Sequence, residues 1–187
     1  MNEAIARRVA ALRKSSKLTF DELAARSDIS KGMLVQIEQG RANPSISTLC
    51  KLAAGLRVSV ADLVNVDNRS TRHVRIVAPG TSPILWKGPK GGSATLQVGS
   101  EGPDMLELWD WHLMPGEKFE ARAHSADTRE LVNVIEGTLA LEVDGHTYLV
   151  SAGSSAIART DCAHSYACHG KKRLHFTMVV HEDALKA

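Results

Sequence analysis

The stretch Thr19–Ser47, TFDELAARSDISKGMLVQIEQGRANPSIS, reads as two short helices joined by a tight turn and followed by a basic, proline-containing loop. A helix pair of this size is the usual device for setting one helix in the DNA major groove. The chemistry there is hydrogen bonding to base edges for sequence and to phosphates for position. The rest of the chain is β-rich, with a few polar residues breaking into its apolar pattern. The three cysteines, Cys50, Cys162 and Cys168, are an odd and scattered set, which argues against a disulfide framework and for a reducing, cytoplasmic setting.

Periodicity supplies the elements that would hold the first group. Ile5, Val9 and Leu12 recur at helical spacing and predict an amphipathic helix over residues 3–14. Thr19 and Glu22 form a T-x-x-E capping box at the start of a second helix, with Phe20, Leu23 and Ala24 turned inward. Asp28-Ile29 makes the turn, Ser30 caps a third helix, and Gly40 ends it just beyond Gln39. Pro44 cannot continue a helix, and Ser45 or Ser47 can cap the next, whose inner stripe is Leu49, Leu52 and Ala53. Val60, Leu63 and Val64 suggest a short fifth helix.

With those features in place, ELAARSDISKGMLVQIEQGRANPSISTLCKLAAGLRVSVADLV resembles the lambda-repressor-like helix-turn-helix of the XRE family over about residues 5–65. The resemblance implies that the third helix enters the major groove. Ser30, Lys31, Gly32 and Met33 would then face base edges, with Val35 and Gln36 one turn on. Lys31 suits guanine O6/N7 and Gln36 suits bidentate pairing with adenine. Thr19, Arg41, Asn43 and Ser45 are the candidates for phosphate contacts. Leu34 and Ile37 are expected in the core. Charge agrees with this division: through Asp62 there are ten Lys/Arg against six Asp/Glu, and Arg69, Arg72 and Arg75 follow, although the net charge of the chain is only +2.

Asp67–Pro83 lacks helical periodicity and holds a Pro-Gly and a Ser-Pro pair, so it reads as a linker with a first edge strand at His73–Val77. From Ile84 the pattern becomes short Val-, Leu- and Thr-rich runs separated by glycine turns: ILWKG, ATLQVG, MLELWDWHLM, ELVNVIEG, LALEVDG, TYLVSAG, SSAIAR, HSYACHG and RLHFTMVV. Many short strands argue for a sandwich or barrel, and Asp144-Gly145 is a strong hairpin turn. Trp109 and Trp111 share one strand face, as core or as the wall of a pocket.

The segment PGEKFEARAHSADTRELVNVIEGTLALEVDGHTYLVSAGSSAIARTDCAHSYAC resembles the two-motif core of the cupin β-barrel, within a likeness spanning roughly residues 80–181. Gly116, His124, Glu130 and Gly137 fall on its first motif; Gly145, Gly153 and His164 fall on its second, with Ser151 in place of the usual proline. Counted from Gly116, the first motif histidine falls on Arg122 and the second on His124. Counted back from Glu130, His124 is the first and Ala126 the second. Either count leaves His124, Glu130 and His164 as the implied ligand set. Two imidazoles and a carboxylate suffice for one Zn²⁺ or Fe²⁺ per barrel, with positions open for water or a ligand. The other reading is a site without metal that holds an organic ligand by hydrogen bonds. Strand alternation puts Arg122 on the face of His124, where it would clamp a carboxylate or phosphate or pair internally with Glu130 or Glu120. His175 would replace the missing ligand or sit as a satisfied barrel histidine.

The expectation is therefore a multidomain protein: an all-α helix-turn-helix bundle of five short helices at residues 1–66, a linker and edge strand at 67–83, and an all-β cupin (double-stranded β-helix) barrel at 84–187. The resemblance implies a homodimeric transcriptional regulator that binds a double-stranded DNA operator. Its barrel would take a small effector such as an amino acid, polyamine or sulfur metabolite. The rival readings are a metal-dependent cupin enzyme tethered to a DNA-binding domain, and a barrel that only dimerises. The charged N-terminus shows no signal-peptide core, and no apolar run approaches the ~20 residues of a membrane span.

Overall fold

The computed structural model describes residues 2–64, 73–100 and 104–183. Arg69, Arg72 and the start of the expected linker lie outside these residues. Among the described residues, five helices come first: α1 Asn2–Ser15, α2 Phe20–Arg26, α3 Lys31–Glu38, α4 Ile46–Leu56 and α5 Val60–Val64. The caps foreseen at their starts form. Glu22 N–H donates to Thr19 Oγ1 while Thr19 N–H donates to Glu22, and Ser30 and Ser45 accept from Met33 N–H and Thr48 N–H. Gly40 follows α3 with φ +69°, the left-handed conformation that ends a helix. Ile5, Val9, Leu23, Leu34, Ile37, Leu49, Leu52 and Leu63 fill the bundle core. Beside it, Arg13 is buried against Glu38 at 2.6 and 2.9 Å, with its guanidinium 4.0 Å above the Phe20 ring.

Among the described residues, ten strands follow: β1 Ile84–Lys87, β2 Ser93–Gly99, β3 Asp104–Leu113, β4 Lys118–Ala121, β5 Arg129–Glu136, β6 Thr138–Val143, β7 His146–Ser151, β8 Ser155–Arg159, β9 His164–Cys168 and β10 Leu174–Asp183. They form a six-stranded sheet, β1-β2-β3-β10-β5-β8, and a four-stranded sheet, β4-β9-β6-β7. Every pairing is antiparallel. Alternation turns Trp109, Trp111, Val132, Leu141, Tyr166, Phe176 and Met178 into the barrel. Asp144 and Gly145 both have positive φ, +49° and +75°, as the two-residue turn between β6 and β7 requires.

The sequence expectation departs from the structure in two elements. His73–Val77 is not a strand: it joins no ladder, and Val74 and Ile76 are exposed. Lys118–Ala121 is a strand that was not foreseen, because in KFEA only Phe119 is a large apolar residue.

The bundle and the barrel are packed against each other. Ala61 in α5 meets Gly99 of β2, where even a methyl group on Gly99 would come within 2.6 Å of the Ala61 Cβ. Ser59 caps α5 by accepting from Asp62 N–H at 3.0 Å, and its hydroxyl donates to the Ser100 carbonyl at 2.8 Å. Glu107, turned inward on β3, accepts from the Ala61 N–H at 3.2 Å and from Trp109 Nε1–H at 3.1 Å. Among the described residues, no helix is long and apolar enough to cross a membrane.

Candidate functional site

The barrel's open end and the helical bundle enclose a cavity of about 580 Å³. Its floor and walls come from the barrel: Trp109 and Trp111 on β3, Phe119 on β4, Glu130 on β5, Tyr166 on β9, and Met178 and Glu182 on β10. Its roof is the helix-turn-helix domain, through Ile46, Ser47, Cys50, Lys51, Ala53 and Ala54 of α4 and Asp28 of the turn between α2 and α3. The expected wall residues Trp109 and Trp111 are both there, and Trp111 is also core, stacked at 6° on Phe176.

At the base of the cavity three expected ligands converge. One donor atom each from His124, Glu130 and His164 lies within 4.8 Å of the others. His124 Nε2 is 3.4 Å and His164 Nε2 is 3.5 Å from the same oxygen, Glu130 Oε1. These separations are electrostatic contacts rather than good hydrogen bonds, and both Glu130 Oε1 and His164 Nε2 are buried with no hydrogen-bond partner. The other atoms of the group are engaged. Tyr166 donates its hydroxyl to Glu130 Oε2. His164 Nδ1 lies 2.8 Å from the Cys162 carbonyl, an acceptor, so that nitrogen carries a proton and Nε2 is the atom turned toward Glu130. His124 Nδ1 faces Glu182 at 3.7 Å, and Glu182 accepts from Ser125 N–H at 3.0 Å.

Electrostatics sharpen the same point. Burial alone would raise the Glu130 carboxyl, but the imidazoles of His124 and His164 outweigh it and hold the group well below the usual carboxylate range. Burial disfavours the charged His124 ring, yet Glu130, Glu182 and Glu107 together raise its pKa. Tyr166 is pushed up by burial, with Glu130 adding to it, so it remains a proton donor. A buried carboxylate oxygen and a buried imidazole nitrogen that face each other without a good hydrogen bond need a cation between them, either a proton or a metal. The His164 ring is oriented by a carbonyl from outside the trio, an arrangement that fixes metal-binding histidines, and His124 faces the Glu182 carboxylate. The residues therefore fit a divalent ion held by His124, Glu130 and His164, as the cupin likeness implied.

Arg122 lines the cavity without the internal pairing expected of it, and His175 lies outside the cavity. Arg122 follows the end of β4 at Ala121, so alternation does not carry through to His124. Its side chain is 74% exposed at the cavity rim, and its ion partner is Asp28 of the helical bundle at 3.8 Å, not Glu130 or Glu120. His175 points away from the cavity, because its neighbours Leu174 and Phe176 are the inward residues of β10; it pairs with Asp110 at 2.8 Å.

Glu107, Glu182 and the roof residues were not foreseen. Glu107 had a signal, since it interrupts the inward series Met105, Trp109, Trp111 of β3. Its carboxyl is raised to about 7, chiefly by burial, against the lowering effect of the Ala61 and Trp109 N–H groups.

Of the residues expected to face DNA, Lys31, Gly32, Met33 and Gln36 are exposed along α3, Val35 is half-buried, and Thr19, Arg41, Asn43 and Ser45 are exposed. Ser30 is committed to capping α3, and Lys31 pairs with Asp21 at 2.9 Å on the surface. No side chain crowds Gly32, so a backbone can approach it.

The chain matches the helix-turn-helix family over residues 9–63 and the cupin domain family over residues 109–180. The HTH-type transcriptional regulator SutR of Escherichia coli (strain K12) is 26% identical over 171 residues, covering 91% of this chain and 90% of that protein. The uncharacterized HTH-type transcriptional regulator y4dJ of Sinorhizobium fredii (strain NBRC 101917 / NGR234) is 41% identical over 64 residues, 34% of this chain and 83% of that protein. The crystal structure of an HTH_3 family transcriptional regulator from Vibrio cholerae superposes over 96% of both chains with a TM-score of 0.76 and 24% identity, which establishes a common fold.

Proposed function

Since the chain belongs to the XRE-type helix-turn-helix transcriptional regulators and carries a cupin domain, we propose that it is a DNA-binding regulator whose barrel binds a small effector and thereby alters operator binding. The observation that carries this reading is the roof of the cavity. An occupant of the barrel would touch Cys50, Lys51 and Ala54 directly, on the helix that packs against α2 of the helix-turn-helix. A ligand shifts a conformational equilibrium only through differential contacts with its two states. A cavity shared by sensor and DNA-binding head supplies those contacts without a relay.

His124, Glu130 and His164 would hold one Zn²⁺ or Fe²⁺, which as a Lewis acid would anchor an oxygen or nitrogen of the effector. Trp109, Trp111, Phe119 and Met178 would enclose its apolar part. At the rim, Lys51 Nζ donates to Asp28 Oδ2 at 2.5 Å and to the Asp28 carbonyl at 2.7 Å, and Arg122 faces the same carboxylate. This cluster joins α4, the turn before α3, and the barrel, so a change in the cavity is delivered next to the recognition helix. Ser30, Lys31, Gly32, Met33, Val35 and Gln36 would read base edges, and Thr19, Arg41, Asn43 and Ser45 would contact phosphates.

The active species is a homodimer. The outer face of the six-stranded sheet carries an aliphatic row in register, Leu108–Val179–Leu131–Ile157, of which Leu131 is 51% and Ile157 65% exposed. An exposed row of this kind suits a partner surface, and two heads on one operator gain by avidity.

The test begins with elemental analysis of protein purified without chelator, beside His164→Ala. Selection from a random duplex pool then gives the operator, and fluorescence anisotropy gives its affinity with and without the metal. One metal per chain more in wild type than in His164→Ala, together with a metal-dependent operator affinity lost in the same variant, is the expected result. An operator affinity identical in wild type and His164→Ala under both conditions would leave the barrel without a regulatory role.

A further inference from the structure

On the outer face of the six-stranded sheet, Asp110, His112 and His175 form a cluster that faces away from the cavity. We propose that these three residues are a second site for a divalent cation of the zinc class, open to solvent and independent of the barrel's interior. The backbone places them together. Asp110 and His112 are two residues apart on β3 and so share a face. His112 lies directly across the ladder from His175 on β10. The two rings stack with centroids 4.1 Å apart and 20° between their planes. Each turns Nε2 to a different oxygen of the same carboxylate: His112 to Asp110 Oδ2 at 3.0 Å, His175 to Asp110 Oδ1 at 2.8 Å. One donor atom from each residue lies within 4.8 Å of the others.

Two imidazoles and one carboxylate on paired strands make a three-donor set held by the sheet rather than by a loop, so little ordering remains for a metal to impose. Imidazole and carboxylate suit Zn²⁺ and its neighbours in the first transition row. His112 is 40% exposed, and the solvent side supplies the remaining coordination as water. Binding would replace the Nε2 protons that now bridge to Asp110 and would tie β3 to β10 across their ladder. Without a metal the same atoms make a hydrogen-bonded triad, which is the competing account.

The two accounts separate in one measurement. The full chain is stripped with EDTA, desalted and dialysed to equilibrium against zinc, and bound zinc is counted for wild type, His112→Ala, His175→Ala, Asp110→Asn and His164→Ala. Both outer-face histidine variants are expected to hold one zinc per chain fewer than wild type, and Asp110→Asn to hold less at limiting zinc. His164→Ala is expected to keep the outer-face zinc, so failure of the cavity site registers in a different variant from failure of this one. Cobalt substitution gives a second readout: the visible absorption attributable to this site disappears in His112→Ala while tryptophan fluorescence shows the barrel still folded. Equal zinc in wild type, His112→Ala and His175→Ala would overturn the proposal and leave the triad as a hydrogen-bonded cluster.

Discussion

Glu107 gives the sharpest test of how the two domains are held together. Its carboxyl is enclosed between β3 and α5 and is raised from an ordinary 4.5 to about 7, chiefly by burial. Between those values the folded protein binds more protons than the unfolded one, so stability falls as pH rises through this window. A shift of ~2.5 units corresponds to about 3 kcal/mol, present in full below pH ~4.5 and lost above pH ~7. Glu107→Gln removes the titration. The amide oxygen can still accept from Ala61 N–H, but its NH₂ then faces Trp109 Nε1–H, a donor against a donor, for a pH-independent loss of about 1 kcal/mol. The variant should therefore be about 1 kcal/mol less stable than wild type near pH 4 and about 2 kcal/mol more stable at pH 8, with the curves crossing between pH ~5 and ~6. Urea unfolding followed by tryptophan fluorescence reports this directly, because Trp109 and Trp111 are buried in the barrel. A difference between the two proteins that stays constant from pH 4 to 8 would refute the reasoning and mean that Glu107 is not held in a desolvated contact with α5.

Three further outcomes follow from the packing. Glu38→Ala strands the buried Arg13 guanidinium and should destabilise the helical bundle by about 3–5 kcal/mol, read by thermal unfolding; a loss under 1 kcal/mol would mean that water reaches Arg13. Gly99→Ala drives a methyl group against Ala61 and should cost about 1–3 kcal/mol while weakening the seat of α5 on the barrel, seen as faster amide exchange in α5. Gln36→Ala should lose about 1–3 kcal/mol of operator affinity and relax preference at one base pair; unchanged affinity and preference would move the base-reading positions along α3.

The helical part of the fold was legible because its signals are local. Thr19 with Glu22, Ser30, Gly40 and Ser45 each fix a helix end through backbone chemistry within four residues. Strands were legible wherever apolar residues alternate, and KFEA failed that test because its outward residues are charged and only one inward residue is large. HVRIV passed it without becoming a strand, since β-branched composition does not supply a pairing partner. In the cavity, His124, Glu130 and His164 were reached by likeness to a family, and the converging nitrogens could not have been read from spacing alone. Arg122 reaches only the cavity rim because residues 122–124, read as alternating, belong to no strand. His175 was misplaced although the inward residues Leu174 and Phe176 already assign it to the outer face. The roof of the cavity is a long-range contact, and its trace in the sequence is faint. Helix α4 carries Ile46, Leu49, Cys50, Leu52, Ala53, Ala54 and Leu56, an apolar surface that packs on α1, α2 and α5 and still leaves a face toward the barrel across the cavity.

That shared roof bears on how such a protein can change over evolutionary time. A DNA-binding head joined by a free tether can be exchanged for another and the sensor kept. Here the head completes the chamber, so a domain swap that preserved every barrel residue would still hand the chamber a foreign ceiling. Under the proposed function, substitutions at Cys50 or Ala54 that retuned the ligand would also be substitutions in the helix that packs against α2. Specificity for the ligand and for the operator would then be inherited together, and lineages that acquire a new ligand should carry paired changes on α4 and on the inward faces of β3 and β10.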